Sequence, residues 1–489
     1  MADYKHGAYG EFVESIGTIA TQSGTVAVYV GLAPVNLVRG YAPYVNNPVK
    51  LNSYGAVRRY FGYSDNWSDF DLCEAFQLHF SNSAGGVGPI VAINVLDPDT
   101  HRKEAETVAT LTFVNGRAIL ESDKIILDTL VLVGLEENVD YSVDYDFTKG
   151  QVIIDSIGAV KLTGNVDAVY FEVDPGMITE EDIIGGVTAG GVYSGLGCID
   201  LVYQELGIIP NLILCPGWSE KPAVYEAMII AGTKINGHWD AFVYGDIPVE
   251  DEAGAVDTIE ASIKWHDDKG YTNERTKVFW PKGKDTSDRI YHAAVLAAWR
   301  TMLVDETHDG VPMETPSNKS LPISAQYFGA NSKNRGFDQQ RANELNAAGI
   351  TTVVYWGGLW VLWGPHTAAY NYGMITDNRN IFDNSIRMMM YVSNNFQQEH
   401  ALTIDKPMTR AMKDTILNRE QEKMDALAAM GAFIGEPIVS FDEADNSTAD
   451  MVEGNFTWGF KGTPTPPFKS GTLKVAYTTA GFDTYFEEA

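Results

Sequence analysis

Residues 183–218 read IIGGVTAGGVYSGLGCIDLVYQELGIIPNLILCPGW, and this stretch decides the fold. The glycines between Gly185 and Gly197 predict a loop packed closely against a helix, because glycine has no Cβ to hold backbones apart. The run NLILC, Asn211–Cys215, is apolar and predicts a buried strand that Pro216-Gly217 ends. Buried strands beside helices indicate an α/β layer.

The same alternation of strands and helices continues on both sides of this stretch. Upstream, Thr25–Leu32 and Gly88–Val95 predict buried strands on either side of a helix over Asp69–Phe80. Downstream, the polar triplet Asp285-Thr286-Ser287 predicts the start of a helix, and TTVVYWGGLWVLW at 351–363 predicts two strands joined by a turn. The remaining predictions are helices at Lys221–Ile235, Ala255–Trp265 and Ser287–Leu303 and strands at Ala241–Tyr244 and Thr351–Tyr355.

The pattern changes near residue 100, where short strands follow one another without a helix pattern. The dipeptide Asn115-Gly116 predicts a type I′ hairpin, and Lys149-Gly150 predicts a second turn. We therefore predict an inserted all-β domain, a sandwich or a barrel, over residues 101–176. Its predicted strands are Leu111–Val114, Arg117–Leu120, Val139–Tyr145, Gln151–Asp155 and Val166–Val173.

The last part of the chain predicts two helices followed by extended chain. The helices are Asp383–Leu402 and Pro407–Met430, with Pro407 in the first turn of the second. KGTPTPPF at 461–468 predicts a linker, and TLKVAY at 472–477 predicts a strand. Because a strand needs a partner for its backbone hydrogen bonds, this strand pairs either within the chain or with the sheet edge of a neighbouring subunit.

These patterns together predict a multidomain α/β protein with an α+β C-terminal domain and an extended arm at each end. The predicted domains are an N-terminal extended arm (1–25), an α/β segment that joins the core (26–100), the all-β insertion (101–176), a central α/β domain (177–375), a C-terminal helical domain (376–460), and a linker with a C-terminal strand arm (461–489).

Composition limits the partners of the chain. It carries 65 acidic and 35 basic side chains, a formal net charge of -30, so phosphate and anionic membrane surfaces would repel it. We expect neither nucleic-acid binding nor stable membrane insertion, because the longest apolar stretch falls short of the roughly 18 residues of a membrane span. Cys73, Cys198 and Cys215 form no CxxC pair and predict buried thiols in a reducing cytoplasm.

Sequence motifs of catalysis are missing. There is no P-loop, no H-E-x-x-H and no G-x-S-x-G, and the glycines of 185–197 do not fit G-x-G-x-x-G. His238 and Asp240 lie close together, but a hydrogen-bonded structural histidine explains His238 as well as a catalytic pairing does, and the same holds for His366. We predict no enzyme activity and no catalytic, cofactor or metal site. The alternative is a hydrolase built on the central α/β domain.

One basic feature contrasts with the acidic chain. Lys406, Arg410 and Lys413 fall at i, i+4 and i+7, so a helix would place them on one face. One interpretation is a solvated face with ion pairs to acids such as Asp414. The other is a docking strip for an acidic partner.

Several motifs, taken as a set, resemble the tail sheath proteins of contractile phages and phage-tail-like particles. Residues 183–218 are similar to that family's G-G-x-(D/T)-A loop, its (S/T)-G-L step and its G-x-x-P-x-L-x-x-x-P-G-W strand end. The other resembling segments are the opening Tyr4-x-His6-Gly7, Tyr225–Pro248, Leu345–Gly364 and Ile381–Gly435.

The resemblance implies a structural subunit of a contractile sheath, made in the bacterial cytoplasm and located in the virion tail. It implies a helical homo-oligomer of stacked rings around an inner tail tube, with baseplate and tail terminator proteins at its ends. The family's central domain is subtilisin-like in shape, but this sequence has no recognisable Asp, His, Ser triad, so proteolysis is not implied. Its terminal arms add strands to neighbours, which points to Tyr4, His6 and Gly7 at one end and to Leu473, Val475 and Tyr477 at the other. The basic strip would then face the tube.

Overall fold

The computed structural model describes residues 21–22, 24–158, 161–374 and 377–485. A single eight-stranded sheet lies at the centre of the fold. Strands are numbered β1–β25 and helices α1–α11 in chain order. In spatial order the strands of the central sheet are β23 (Leu359–Trp363), β22 (Ile350–Trp356), β18 (Thr276–Phe279), β15 (Phe242–Asp246), β14 (Leu212–Leu214), β2 (Ala27–Gly31), β5 (Ile90–Asn94) and β3 (Pro48–Leu51).

Six parallel strands, β22 to β5, form the middle of this sheet, and β23 and β3 close it as antiparallel edges. Strands β2, β5, β14, β15 and β18 are buried along their whole length. This explains why β2, β5 and β14 read as nearly continuous apolar runs, since a parallel sheet is covered on both faces. Strand β18 reads TKVF, and its buried Lys277 removes that signal. The predicted strands at 25–32, 88–95, 211–215 and 241–244 and the strand pair predicted at 351–363 are confirmed, whereas the sequence analysis missed β18.

Helices cover the sheet, and α2 (Leu72–Ser81) and α7 (Ala293–Glu306) are buried along most of their length. The predicted start of α7 at Asp285-Thr286-Ser287 is wrong: Asp285 accepts hydrogen bonds from the backbone of Ser287 and Arg289 within a turn, and the helix begins after His292. The helices are α1 (Tyr54–Tyr60), α2 (Leu72–Ser81), α3 (Glu180–Ile184), α4 (Ile199–Leu206), α5 (Pro222–Ala231), α6 (Ile259–Lys269), α7 (Ala293–Glu306), α8 (Gln339–Ala347), α9 (Asp383–His400), α10 (Arg410–Ala429) and α11 (Thr448–Val452).

The glycine-rich segment packs backbone against backbone, as the sequence predicts. It forms a small hairpin of β12 (Gly186–Val187) and β13 (Tyr193–Ser194) that leads into α4. A methyl group at Gly195 would lie 2.3 Å from the carbonyl oxygen of Ile183, and the φ of Gly195 is +53°. Only glycine fits both the space and the backbone angle.

The inserted β region forms two three-stranded antiparallel sheets that share one hydrophobic cluster. Asn115 and Gly116 have φ of 54° and 82°, which confirms the predicted type I′ turn. Val114 and Arg117 exchange both backbone hydrogen bonds across this turn, as the predicted hairpin requires, but beyond this bridge the two strands enter different sheets. One sheet is β7 (Arg117–Leu120), β10 (Gln151–Ser156) and β9 (Tyr141–Asp146), and the other is β6 (Thr107–Phe113), β11 (Gly164–Tyr170) and β8 (Val131–Leu132).

Short strand pairs complete the described fold. Because Ala255 belongs to one of them, helix α6 begins later than predicted, at Ile259. The pairs are β1 (Thr21–Gln22) with β4 (Val87–Gly88), β16 (Glu250–Asp251) with β17 (Gly254–Ala255), β19 (Lys282–Lys284) with both β20 (Ile290–Tyr291) and β21 (Ala325–Tyr327), and β24 (Phe433–Ser440) with β25 (Gly459–Pro464).

Three predictions for the C-terminal region need correction. Pro407 precedes α10 rather than opening it, because Thr409 caps the helix by accepting from the backbone N–H of Met412. The first half of the predicted linker at 461–468 is part of β25, which pairs with β24. Residues 472–477 form no strand in this single chain.

Candidate assembly interface

Helices α9 and α10 with strands β24 and β25 form a compact helix–sheet unit. Helix α10 packs on β24 and α9 packs on β25. Met388, Met424, Leu427 and Phe433 form the small core between these layers. Within residues 377–485, β24 and β25 pair as strands only with each other. The Gln421 side chain covers part of the outer edge of β24, donating to the Pro437 carbonyl and accepting from the Val439 N–H, so the outer edge of β25 is the more open to a further strand.

Two buried ion pairs fix the helix–sheet unit to the central sheet. The Nζ of Lys277 in β18 lies 2.8 Å from Asp383 Oδ2 in the first turn of α9, and both side chains are fully buried. One turn later, the guanidinium of Arg387 donates to both carboxylate oxygens of Asp305 in α7. Because breaking a buried pair leaves an uncompensated charge, these contacts favour one fixed orientation of α9.

The start of the described chain joins the same ionic network. Thr25 Oγ1 donates to Asp305 Oδ2 over 2.6 Å, so the residue that follows the N-terminal segment is tied to α7 and, through Arg387, to α9. The predicted arm residues Tyr4, His6 and Gly7 lie outside the described residues.

The C-terminal tail, residues 465–485, exposes apolar side chains. Leu473, Val475 and Tyr477 are 85%, 84% and 85% exposed, and Phe468 is 90% exposed. In an extended strand, positions 473, 475 and 477 would lie on one face. These side chains are therefore free to contact another molecule, although the tail forms no strand by itself.

The predicted basic strip is only partly assembled. Lys406 lies before α10, so the assumption that one helix carries all three residues is wrong. Lys413 Nζ lies 2.5 Å from Asp414 and 5.4 Å from the ring centre of Phe441. Lys406 and Arg410 are exposed and remain available to a partner.

The histidines considered for catalysis have structural contacts. Asp240 accepts from Arg275 over 2.9 Å, while the ring of His238 packs against Trp239. His366 stacks on Tyr370 with ring centres 3.6 Å apart. Burial lowers the pKa of His366 to about 3, so its imidazole stays neutral.

Sequence reasoning missed a buried group of charges at the carboxyl ends of the parallel strands, which we call the carboxyl-edge cluster: Glu74, Glu220, Asp246, Lys282 and His292. His292 Nδ1 lies 2.8 Å from Glu74, and its Nε2 lies 3.4 Å from Glu220. Burial opposes a charged imidazole, but the carboxylate of Glu74 raises the pKa of His292 to about 10. Both ring nitrogens of His292 are engaged, because Nε2 also lies 2.8 Å from Lys282 Nζ, so His292 is a poor general base. The only sequence signal was the position of Asp246 at a strand end.

The described residues also provide no obvious nucleophile or metal site. All three cysteines are buried, as predicted, and burial raises the pKa of each thiol. Thiols of this kind are poor nucleophiles because the thiolate is the reactive form. In the parts of the chain that the structure describes, no group of three or more His, Cys, Asp or Glu side chains could hold a metal ion. No helix there is both long and apolar enough to cross a bilayer.

Comparison with known proteins gives one consistent result. No family model matches the sequence. The chain is 25% identical over 507 residues to the tail sheath protein of Burkholderia phage BcepMu, covering 98% of each chain. It is 24% identical to the tail sheath protein of Escherichia phage P2 over 61% of this chain and 71% of that protein. The chain is a homologue of tail sheath proteins.

Solved structures support the fold of this tail sheath homologue. The anti-feeding prophage helical sheath in its contracted state is similar over 97% of this chain and 98% of that chain, with a TM-score of 0.55 and 14% identity. A chain of the anti-feeding prophage baseplate gives a TM-score of 0.59 at 13% identity, over 98% and 100% of the two chains. The mixed α/β fold with several sheets is thus the fold of contractile sheath structures. Homologues of this kind imply a structural rather than an enzymatic role.

Proposed function

We propose that the chain is the repeating subunit of a contractile tail sheath, which surrounds an inner tube and drives it through a cell envelope. The observation that carries the proposal is similarity to a phage tail sheath protein along the full length of both chains. The hydrolase alternative gains no support, since His238 and His366 have structural contacts. The subunit would be located in the tail of a virion or of a tail-like particle. There it would form a helical homo-oligomer with tube, baseplate and terminator partners.

In this proposal the domains are those expected from the sequence. The region 177–375, with strands from 26–100, is the subtilisin-like core, and 101–176 is a sandwich carried on it. The segments 1–25 and 461–489 carry the exchanging arms, with Tyr4, His6 and Gly7 in the first, while residues 461–464 of the second stay paired in β25. The outer edge of β25 and the exposed side chains of Leu473, Val475 and Tyr477 support strand donation between copies. A contact that repeats head to tail without closing produces an open helix.

Negative-stain electron microscopy of the purified chain tests the proposal. The intact chain should form hollow tubes, while deletion of residues 1–20 or 470–489 should leave dispersed subunits. Tubes of normal length from both deletions would refute strand exchange, because the arms would then be dispensable.

The basic strip is proposed to contact an acidic tube. Exchanging Lys406, Arg410 and Lys413 for Glu should abolish assembly on purified tubes and leave the circular dichroism spectrum unchanged. Because Lys413 is engaged by Asp414, the Lys406→Glu, Arg410→Glu double variant should have most of the effect. Tube binding that survives the triple exchange would contradict this role.

A further inference from the structure

The hairpin of β22 and β23, at one edge of the central sheet, ends in an exposed aromatic tip, residues 355–359. Tyr355, Trp356 and Leu359 in this tip are 57%, 48% and 57% exposed, and two glycines form the turn between the strands. Residues 318–321 hydrogen-bond to the outer edge of β23 beyond the tip, so they leave the tip uncovered. Exposed apolar side chains that are grouped in this way indicate a surface for contact with another protein.

A basic loop, residues 329–337, is fixed beside this hairpin. It contains Lys333 and Arg335 and no acidic residue. Gln326 joins the loop to the hairpin, because its side chain accepts from the N–H of Phe337 and donates to a backbone carbonyl of β22. Both basic side chains are exposed, and among the described residues neither has an ion-pair partner. The aromatic tip and the basic loop therefore present apolar and positive groups side by side.

The acidic side chains nearest to the basic loop have other partners. Asp338 caps α8 by accepting from the N–H of Arg341, and the guanidinium of Arg341 pairs with Glu260 and Glu344. Asp257 accepts from a serine hydroxyl of the loop and from no basic side chain among the described residues. The two positive charges of the loop are thus left for an acidic partner.

The complementary surface is the acidic loop that joins β24 to β25, residues 441–453. Asn446, which is 2% exposed, holds this loop in shape by donating to two backbone carbonyls on either side of it. Met451 and Val452 project from the loop at 38% and 81% exposure, so it carries apolar as well as acidic groups. Its five carboxylates have no cation partner among the described residues. They belong to Asp442, Glu443, Asp445, Asp450 and Glu453.

The two surfaces lie at opposite ends of the central sheet. Helix α9 crosses the amino ends of the parallel strands, because its Asp383 pairs with the second residue of β18 and its Asn394 accepts from the N–H of Asp240, just before β15. The acidic loop leads back to this helix, since Trp458 and Phe396 have ring centres 6.1 Å apart. Strand β22 runs parallel to β18 and ends in the aromatic tip, and its seven residues span roughly 23 Å. The length of the sheet therefore separates the two surfaces in one chain, so they can meet only between copies.

We propose that the acidic loop of one copy docks against the aromatic tip and the basic loop of a second copy. Val452 then packs on Trp356 and Leu359. The carboxylates of the acidic loop face Lys333 and Arg335 at the rim of this apolar contact. The inference rests on the proposed function, to which it adds a subunit contact made by folded parts of the chain. A contact between two different surfaces at opposite ends of one molecule is head to tail, which is the kind that builds an open helix.

Disulfide trapping between single-cysteine variants of the full chain tests this contact. Leu359→Cys mixed with a tagged Val452→Cys should give a disulfide-linked heterodimer under mild oxidation, and the three native cysteines are buried and should not react. The matched control is Leu359→Cys mixed with a tagged Val108→Cys, because Val108 is 67% exposed but lies in the β insertion. That mixture should give no heterodimer above background. An absent heterodimer in the first mixture, or an equal yield in the control, would overturn the contact.

Charge reversal checks the role of the basic loop in the same assay. Lys333→Glu with Arg335→Glu in the tip-cysteine chain should lower the heterodimer yield about tenfold, because like charges would then face each other. Adding Asp450→Lys and Glu453→Lys to the loop-cysteine chain should restore the yield. All four side chains are exposed, so the melting temperatures should stay near that of the unaltered chain. A yield that survives the first change, or that the second change fails to restore, would contradict the proposed pairing. Hollow tubes from the unaltered chain report separately on the sheath function, so tubes without a trapped heterodimer would remove this contact and leave the sheath proposal standing.

Discussion

Replacing Arg387 with methionine tests whether buried ion pairs hold α9 against the central domain. Arg387 is 4% exposed and Asp305 is fully buried, so water cannot replace the lost guanidinium. Asp305 would keep only the hydrogen bond from Thr25. Removing one partner of a buried pair typically costs about 3–5 kcal/mol, which is a large share of the stability of an ordinary domain.

Urea unfolding at pH 7, followed by circular dichroism, measures this loss. The control is Arg117→Met, because Arg117 makes the same two-bond contact with Asp155, at 2.7 and 2.8 Å, on the surface with the arginine 55% exposed. That variant should unfold at nearly the urea concentration of the unaltered chain, since solvent screens exposed pairs.

A double variant separates two effects of Arg387→Met, which are the loss of attraction to Asp305 and the cost of leaving the buried Asp305 carboxylate unpaired. Arg387→Met with Asp305→Asn leaves no unpaired carboxylate, so it should be more stable than Arg387→Met alone. Equal unfolding midpoints for Arg387→Met and Arg117→Met, or a double variant weaker than the single one, would refute the argument that burial makes this pair important.

Three further predictions follow, two on titration and one on backbone packing. The pKa of His292 is about 10 in the folded chain against an ordinary 6.5, so its stabilisation is complete below pH 6.5 and is lost as pH rises through 10. Melting temperatures should therefore fall from pH 6.5 to 10, and His292→Gln should flatten that slope. Burial raises the pKa of Asp246 from 3.8 to about 7, so this carboxyl group lowers the melting temperature as the pH rises from 4 to 7. Asp246→Asn should remove that fall. Gly195→Ala should melt well below Gly191→Ala, because both positions have positive φ but only the first lacks room for a Cβ; equal melting temperatures would contradict this.

The sequence predicts the central sheet well because both of its faces are covered. Strands such as Ala27–Gly31 and Ile90–Asn94 are apolar at nearly every position, and that signal survives without any knowledge of their neighbours. The glycine segment is predictable for a related reason, since close backbone contact excludes every side chain at Gly195.

Features that depend on distant partners were harder to predict. The Asn115-Gly116 turn has the expected local geometry, but which sheet each strand joins depends on residues 32 to 63 positions away. The cap at Thr409 displaced the predicted start of α10 and left Lys406 outside the helix. The carboxyl-edge cluster joins Glu74 to His292 across 218 positions of sequence, and no spacing rule reveals such a pair.

The β insertion leaves and re-enters the core at neighbouring points. Arg102 and Val173 form an antiparallel bridge there, and the N–H of Lys103 donates to the carbonyl of Glu172 over 2.9 Å. Bridged residues have Cα atoms roughly 5 Å apart, a gap that a foreign domain with adjacent termini could span. The insertion is therefore a site at which one external domain could be exchanged for another, by evolution or by protein engineering, while the eight-stranded sheet stays unchanged.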